Sequence, residues 1–134
     1  MKRLAVDVRP GDYAIAKLPA GTALPAGLFS GAGTALVSVT STPDEVSVVC
    51  PAELAPDTDA LDGGWRLLTV RGPLEFTLTG IMAALAGGLA AAGVSLFAVS
   101  TYDTDHLLVK AVDLDRAVRA LTEAGHEVHQ EISS

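Results

Sequence analysis

Apolar and polar residues alternate in short runs along most of the chain, and this alternation is typical of half-buried β-strands. The runs are separated by Pro, Gly, Asp and Ser, which favour turns. In the first half, strands on either side of Arg9-Pro10-Gly11-Asp12 are expected to form one hairpin. Strands on either side of Ser41-Thr42-Pro43-Asp44 are expected to form a second hairpin. The strands predicted for this half span residues 4–8, 13–18, 35–40 and 45–50.

The second half adds two helical patterns to the strand pattern. The first helix is predicted by apolar residues three or four positions apart, namely Ile81, Met82, Leu85 and Leu89. Its expected N-cap is Thr77 or Thr79, and its expected C-cap is Gly93. The second helix is expected to begin at Asp113 and to bury one apolar stripe, formed by Leu114, Ala117, Val118 and Leu121.

The predicted elements follow the order β-α-β-β-α-β in the second half, with strands over 65–71, 94–99, 106–110 and 126–132. That is the ferredoxin-like order. The first half repeats the strands, but residues 19–34 are rich in Pro and Gly and oppose a long helix. An acidic, Pro- and Gly-containing segment over 51–64 predicts a boundary. The predicted fold class is therefore α+β, with two βαββαβ modules in tandem: a degenerate module over 1–60 with reduced helices, and a complete module over 61–134.

Composition excludes several functional classes. The formal net charge of −7 and the absence of a basic patch argue against a nucleic-acid partner. The longest apolar run, residues 81–94, is too short to span a bilayer, so no membrane partner is expected. The lone cysteine, Cys50, ends an apolar run and is interpreted as a buried, inert thiol. These features predict a soluble cytoplasmic protein.

Polar residues are concentrated between the second and third strand-like runs of the second half. This segment, Ser100-Thr101-Tyr102-Asp103-Thr104-Asp105, is called the corner below. A tight turn needs two or three small polar residues, whereas the corner also carries two carboxylates and a phenol. The corner is therefore a candidate ligand-contact edge, although turn chemistry alone remains the alternative for both aspartates.

Three motifs carry a resemblance to a known family: residues 41–51, residues 72–81, and the corner together with residues 108–110. On these motifs the chain resembles the tandem-ACT family of small bacterial proteins, which is similar to the ACT repeats of the eukaryotic cytosolic arginine sensor. The resemblance covers nearly the whole chain. It implies βαββαβ modules that bind amino acids and regulate other proteins.

An amino-acid ligand needs hydrogen-bond donors for its carboxylate and acceptors for its ammonium group. The start of the first helix, at Thr79, Gly80 and Ile81, offers free N–H groups and a favourable dipole. The corner offers acceptors and a covering ring through Ser100, Thr101, Tyr102, Asp103 and Asp105. The resemblance implies that these two segments converge on one groove, with Gly80 serving either ligand approach or helix packing.

These observations predict an amino-acid-binding regulatory or sensor protein that acts through an ACT-type interface. A homodimer is expected, along with a possible regulated protein partner. The alternative is a protein-interaction module without ligand binding. No catalytic residues, cofactor or metal are expected, because no nucleophile has a matching base by sequence and Asp103, Asp105 and His106 offer too few oxygens for a hard cation.

Overall fold

The computed structural model describes residues 3–72 and 80–130. Eight strands and two α-helices lie in these ranges. In chain order they are β1 (Ala5–Val8), β2 (Tyr13–Pro19), β3 (Ser38–Ser41), β4 (Glu45–Pro51), β5 (Leu61–Val70), α1 (Ile81–Ala91), β6 (Leu96–Ser100), β7 (Asp105–Lys110), α2 (Leu114–Glu123) and β8 (Glu127–Gln130).

The chain forms two compact units. One comprises residues 1–11 and 65–134 and is called the discontinuous unit; the other comprises residues 12–64 and is called the inserted unit. The units do not follow the boundary predicted at 60/61. Residues 1–11 join the second half of the chain, and the division falls after Gly64, inside β5.

The discontinuous unit contains five strands in the order β6-β7-β5-β1-β8. One face of this sheet packs against both helices. The core between them is built from branched aliphatic side chains of the strands and small or aliphatic side chains of the helices, among them Val6, Val70, Leu107, Leu85, Leu89, Ala117 and Leu121. The predicted apolar faces of both helices are thereby confirmed.

Strand β1 explains why the predicted first hairpin is wrong. β1 pairs antiparallel with β5 on one edge and parallel with β8 on the other. Both of its edges are therefore occupied, and β2 pairs with β4 instead. Strand order across a sheet depends on contacts distant in sequence, so the turn signal at Pro10-Gly11 could not reveal it.

The inserted unit contains three antiparallel strands in the order β3-β4-β2. The hairpin predicted between β3 and β4 is confirmed. Between β2 and β3 the chain forms only a 3-10 turn over Ser30–Ala32, which agrees with the predicted loss of helix. Leu28 anchors this connection in the unit's own core, together with Leu18, Val46 and Val48.

The strand pairings of the two units repeat one another. In the inserted unit, Tyr13 pairs with Pro51 and Lys17 with Ser47. In the discontinuous unit, Trp65 pairs with Lys110 and Thr69 with His106, at the same spacings along both strands. The β3–β4 and β6–β7 pairings match in the same way, so the array β2-β4-β3 has the register of β5-β7-β6. The sequence identity between the two halves is too low to prove a repeat, but the matching strand registers show one.

Several element ends differ from the sequence predictions. The N-cap of α1 is Gly80, so the N-cap predicted at Thr77 or Thr79 is wrong, and Thr79 itself lies outside the described residues. Gly80 adopts φ +78°, a left-handed conformation that favours glycine. Strand β5 begins at Leu61 rather than at residue 65. Residues 61–64 are exposed and lack apolar alternation, so the sequence pattern does not reveal this part of the strand. Residues 131 and 132 of the predicted last strand lie outside the described residues.

Candidate functional site

The corner forms the turn between β6 and β7, and Thr101 organises it. The backbone N–H of Thr101 donates to the carbonyl of Thr104 at 2.8 Å. The Thr101 hydroxyl donates to the same carbonyl at 3.1 Å and accepts from the Thr104 N–H at 3.3 Å. The predicted turn is confirmed, and the Thr101 hydroxyl is used mainly within it.

The inserted unit contains the same turn between β3 and β4. There the backbone N–H of Thr42 donates to the carbonyl of Glu45 at 2.9 Å. The Thr42 hydroxyl donates to that carbonyl at 3.3 Å and accepts from the Glu45 N–H at 3.1 Å. The position that corresponds to Asp105 holds Val46, which is buried. This turn therefore forms without a carboxylate at that position.

In the corner, Asp105 makes a further contact. The Ser100 hydroxyl donates to Oδ1 of Asp105 at 2.7 Å. The two residues are direct partners in the β6–β7 pairing, and Asp105 is partly buried. The serine bond holds one carboxylate oxygen, and the other oxygen can accept a hydrogen bond from a different donor.

Tyr102 and Asp103 occupy the tip of the corner. Tyr102 exposes 81% of its surface, and Asp103 is also exposed. Both side chains lie on the solvent side of the turn that Thr101 closes. Tyr102 is therefore placed at a surface, as a covering ring would be, and not in the core.

The pairing of β5 with β7 ends before the corner. In the inserted unit the equivalent pairing continues through Leu18 with Val46 and Pro19 with Glu45. The β5–β7 pairing ends at Thr69 with His106, two pairs earlier. Beyond that point the Thr104 hydroxyl donates to the carbonyl of Val70 at 2.5 Å. The regular pairing thus stops next to Asp105, and a side-chain hydrogen bond connects the two segments there.

His106 lies at the last paired position of β5 and β7. Its Nδ1 is 3.0 Å from the Thr69 hydroxyl. Burial lowers the pKa of His106, and Arg9 acts in the same direction, while the nearby carboxylate of Asp105 raises the pKa in opposition. The ring is therefore held mainly in its neutral form at neutral pH.

The start of α1 has an open geometry. Gly80 has no side chain to cap the helix, so it offers no oxygen to the first-turn N–H groups, which include that of Ile81. A Cβ atom added to Gly80 would meet no atom of the described residues within 4 Å. The positive φ therefore explains Gly80, and the packing interpretation of this glycine receives no support from the described residues around it.

The structure thus brings some of the predicted site residues together. Ser100 contacts Asp105, and Thr101 shapes the turn that carries Tyr102 and Asp103. Gly80 and Ile81 form the start of α1, and Thr79 lies outside the described residues. Sequence reasoning missed the roles of Thr104 and Thr69, because their partners are on other strands and are found only from the register.

The other features that could indicate a function are the thiol of Cys50, groups of potential metal ligands and membrane-spanning helices. Cys50 is fully buried, as predicted, and burial raises its pKa, which disfavours the reactive thiolate. Within residues 3–72 and 80–130, no three His, Cys, Asp or Glu side chains are grouped as metal ligands would be. In the same ranges no helix is long and apolar enough to cross a membrane.

Comparison with known families gives a match in the second half of the chain. The family model described as ACT domain matches residues 60–123, a range that includes the start of α1 and the corner. The human protein named "Cytosolic arginine sensor for mTORC1 subunit 1" is 40% identical over 58 residues, which cover 42% of this chain. The chain spans only 18% of that relative's length.

Solved structures match most or nearly all of the chain. Protein Atu0741 from Agrobacterium tumefaciens is 37% identical, with a TM-score of 0.89, and the match covers 99% of this chain and 97% of the other. The regulatory subunit of aspartate kinase from Thermus thermophilus has a TM-score of 0.60 at 12% identity, covering 89% of this chain and 95% of the other. The second likeness concerns the fold alone, and it confirms the predicted α+β architecture.

Proposed function

Because the chain belongs to the ACT-domain proteins, we propose that it is a regulatory protein whose discontinuous unit binds a free amino acid between the corner and the start of α1. The proposal assigns the ammonium group to the carboxylates of Asp105 and Asp103. It assigns the ligand carboxylate to the N–H groups at Gly80 and Ile81. Thr79 is included as the residue that precedes this helix start.

The main support for the proposal is a comparison of the Thr42 turn with the Thr101 turn. The Thr42 turn has the same backbone and hydroxyl bonds as the Thr101 turn, yet it has Val46 where the corner has Asp105. Turn formation therefore does not account for Asp105 or for the Ser100 bond that orients it. A partly buried, oriented carboxylate beside the end of the β5–β7 pairing is suited to hold a cationic group.

The ligand class follows from the charges available. An amino acid presents one anion and one cation a few ångströms apart. The helix start favours the anion through its dipole and its first-turn N–H groups. Two corner carboxylates suit an α-ammonium group, and they equally suit a cationic side chain. Since the human relative is named an arginine sensor, arginine and lysine are the first ligands to test.

A thermal-shift screen of the twenty amino acids tests the proposed function. A ligand present at a hundred times its dissociation constant adds about 2.7 kcal/mol to the free energy of unfolding. At least one amino acid is expected to raise the melting temperature of the wild type. The same ligand should produce a smaller shift for Asp105→Asn. If none of the twenty shifts the wild type, the amino-acid proposal fails.

We further propose a homodimer through β6 and α1. Among the described residues β6 pairs with β7 alone, and its sequence, Leu96–Ser100, contains no charge and no proline. Such edges pair readily with other strands. The other outer strand, β8, is protected by charge, with Glu127 in contact with Arg3 at 2.6 Å and with His129 at 3.5 Å.

Helix α1 extends the same apolar surface. No residue of Ile81–Ala91 has a polar side chain, and Ala90 on its outer face is exposed. Helices without a polar face are normally covered. A shallow depression joins the end of α1 to the start of β6, lined by Ala86, Ala90, Gly93, Val94, Ser95 and Leu96. In this proposal, a second copy of the chain covers both α1 and β6.

The same surface supports the second candidate function, an interaction module without a ligand. If the amino-acid screen is negative and the β6–α1 surface still binds a protein, this candidate replaces the first. A regulated protein partner is part of both proposals. The name of the human relative places that protein in the cytosol, and we propose the same compartment here.

A further inference from the structure

We infer that Thr104 is a positioning residue, which sets Asp105 relative to the chain that enters α1. The inference rests on the proposed amino-acid site. Thr104 is not assigned a contact with the ligand. Its role is to connect the two segments that make that contact.

Thr104 makes hydrogen bonds to two different parts of the chain, the corner and the end of β5. Its backbone N–H and carbonyl both bond to Thr101 and so belong to the turn. Its hydroxyl donates to the carbonyl of Val70, at the last residue of β5. Gly80, the N-cap of α1, follows Val70 in the sequence. One residue therefore joins the turn that carries Asp105 to the strand that leads to the helix.

The inserted unit shows that the turn does not need this hydroxyl. Glu45 occupies the position of Thr104 there, and its backbone makes the same bonds to Thr42. Its neighbouring strands remain paired through Pro19 and Glu45, so no side-chain bridge is required. The hydroxyl of Thr104 therefore acts where the β5–β7 pairing has ended, which is beside Asp105.

A second hydroxyl supports the same junction. Thr69 lies next to Val70 and its hydroxyl is 3.0 Å from Nδ1 of His106, the residue after Asp105. Threonine hydroxyls thus join Thr69 to β7 and Val70 to the corner. Asp105 lies between the two joined positions, so its place is fixed from both sides.

The test compares Thr104→Val with Thr104→Ser by calorimetry, using the amino acid that the thermal-shift screen identifies. Removing one hydrogen bond of this kind is expected to weaken binding about five- to tenfold. Thr104→Ser keeps the hydroxyl and should restore wild-type affinity. The matched control is Thr122→Val, which removes a hydroxyl that donates to the Val118 carbonyl at 2.8 Å in α2 and should leave affinity unchanged.

Amide chemical shifts provide a readout that does not depend on a ligand. Thr104→Val should shift the amide signals of Asp105 and also those of Gly80 and Ile81, and Thr104→Ser should not. Shifts limited to the turn overturn the inference, as does equal affinity of Thr104→Val and the wild type. If no amino acid binds the wild type, the proposed function fails on that result, and the shifts at Gly80 and Ile81 alone decide the role of Thr104.

Discussion

Ser100 and Asp105 face each other across the β6–β7 pairing, and the Ser100 hydroxyl donates to Oδ1 of Asp105 at 2.7 Å. This bond gives the carboxylate one orientation before any ligand arrives. Preorganised acceptors cost less ordering entropy on binding than mobile ones do. The Ser100–Asp105 bond is therefore expected to increase affinity for the ligand, and replacing Ser100 tests this while the carboxylate is kept.

Ser100→Ala should weaken amino-acid binding by about 0.5–1.5 kcal/mol, the usual contribution of one hydrogen bond. The fold should be retained, because the Thr101 network closes the turn without this serine. Ser41→Ala is the matched control, since Ser41 holds the equivalent position in the inserted unit. Calorimetry of both variants checks the prediction, and an equal loss of affinity in the two would contradict it.

Gly80→Ala should lower the free energy of unfolding by about 1–2 kcal/mol, because a residue with a Cβ is strained at φ +78°. Open space around the added Cβ means that no steric clash with the described residues should increase this loss. Gly80→Asn should cost less, since asparagine tolerates the left-handed region better. Urea denaturation of the two variants measures the difference. A loss several times larger for both would indicate that packing, not backbone conformation, explains the glycine.

His106 should make stability depend on pH. Because burial lowers its pKa in the folded protein below the ordinary value of about 6.5, the unfolded chain binds the proton first. The contribution of neutral His106 is then complete above pH 6.5 and is lost as the pH falls through the folded-state pKa. The difference in unfolding free energy between the wild type and His106→Asn, measured across this range, should shrink toward acid pH. A constant difference would contradict the prediction, and the remaining histidines are present in both proteins.

Ala90→Glu should disrupt the proposed homodimer. The substitution places a charge on the exposed apolar face of α1, beside the depression that leads to β6. Size-exclusion chromatography with light scattering should give a dimer for the wild type and a monomer for the variant. Ala111→Glu adds the same charge at an exposed position outside α1 and should remain dimeric. A wild-type protein that is monomeric with and without amino acids would refute the proposed pairing.

Much of the fold follows from local patterns. The helical spacing of Leu85 and Leu89 and of Ala117 and Leu121 identifies the buried faces of both helices, since each face is determined within a few turns of chain. The hairpin at Thr42 is equally local, because Pro43 and Asp44 favour the turn and both strands alternate. These elements need no information from distant residues.

The failed predictions concern relations between distant residues. The place of β1 between β5 and β8 depends on which sheet edges are free, and no feature of residues 4–8 encodes that choice. Hydroxyl N-caps are common and predict a threonine at the start of α1, whereas the chain enters the helix through the left-handed Gly80. Local patterns do not reveal the Thr104–Val70 bond either, because it joins distant residues at the point where the β5–β7 pairing ends.

The central claim is that Asp105 holds the cationic group of an amino acid, and titration calorimetry of Asp105→Asn tests it most directly. The isosteric change keeps the size of the side chain and removes its charge. Asp44→Asn, in the equivalent turn of the inserted unit, is the control for loss of a turn carboxylate. Asp105→Asn should weaken binding by at least about tenfold, consistent with a charged hydrogen bond of about 1.5–3 kcal/mol, while Asp44→Asn should bind as the wild type does. Unchanged affinity of a folded Asp105→Asn would remove this residue from the site and contradict the account.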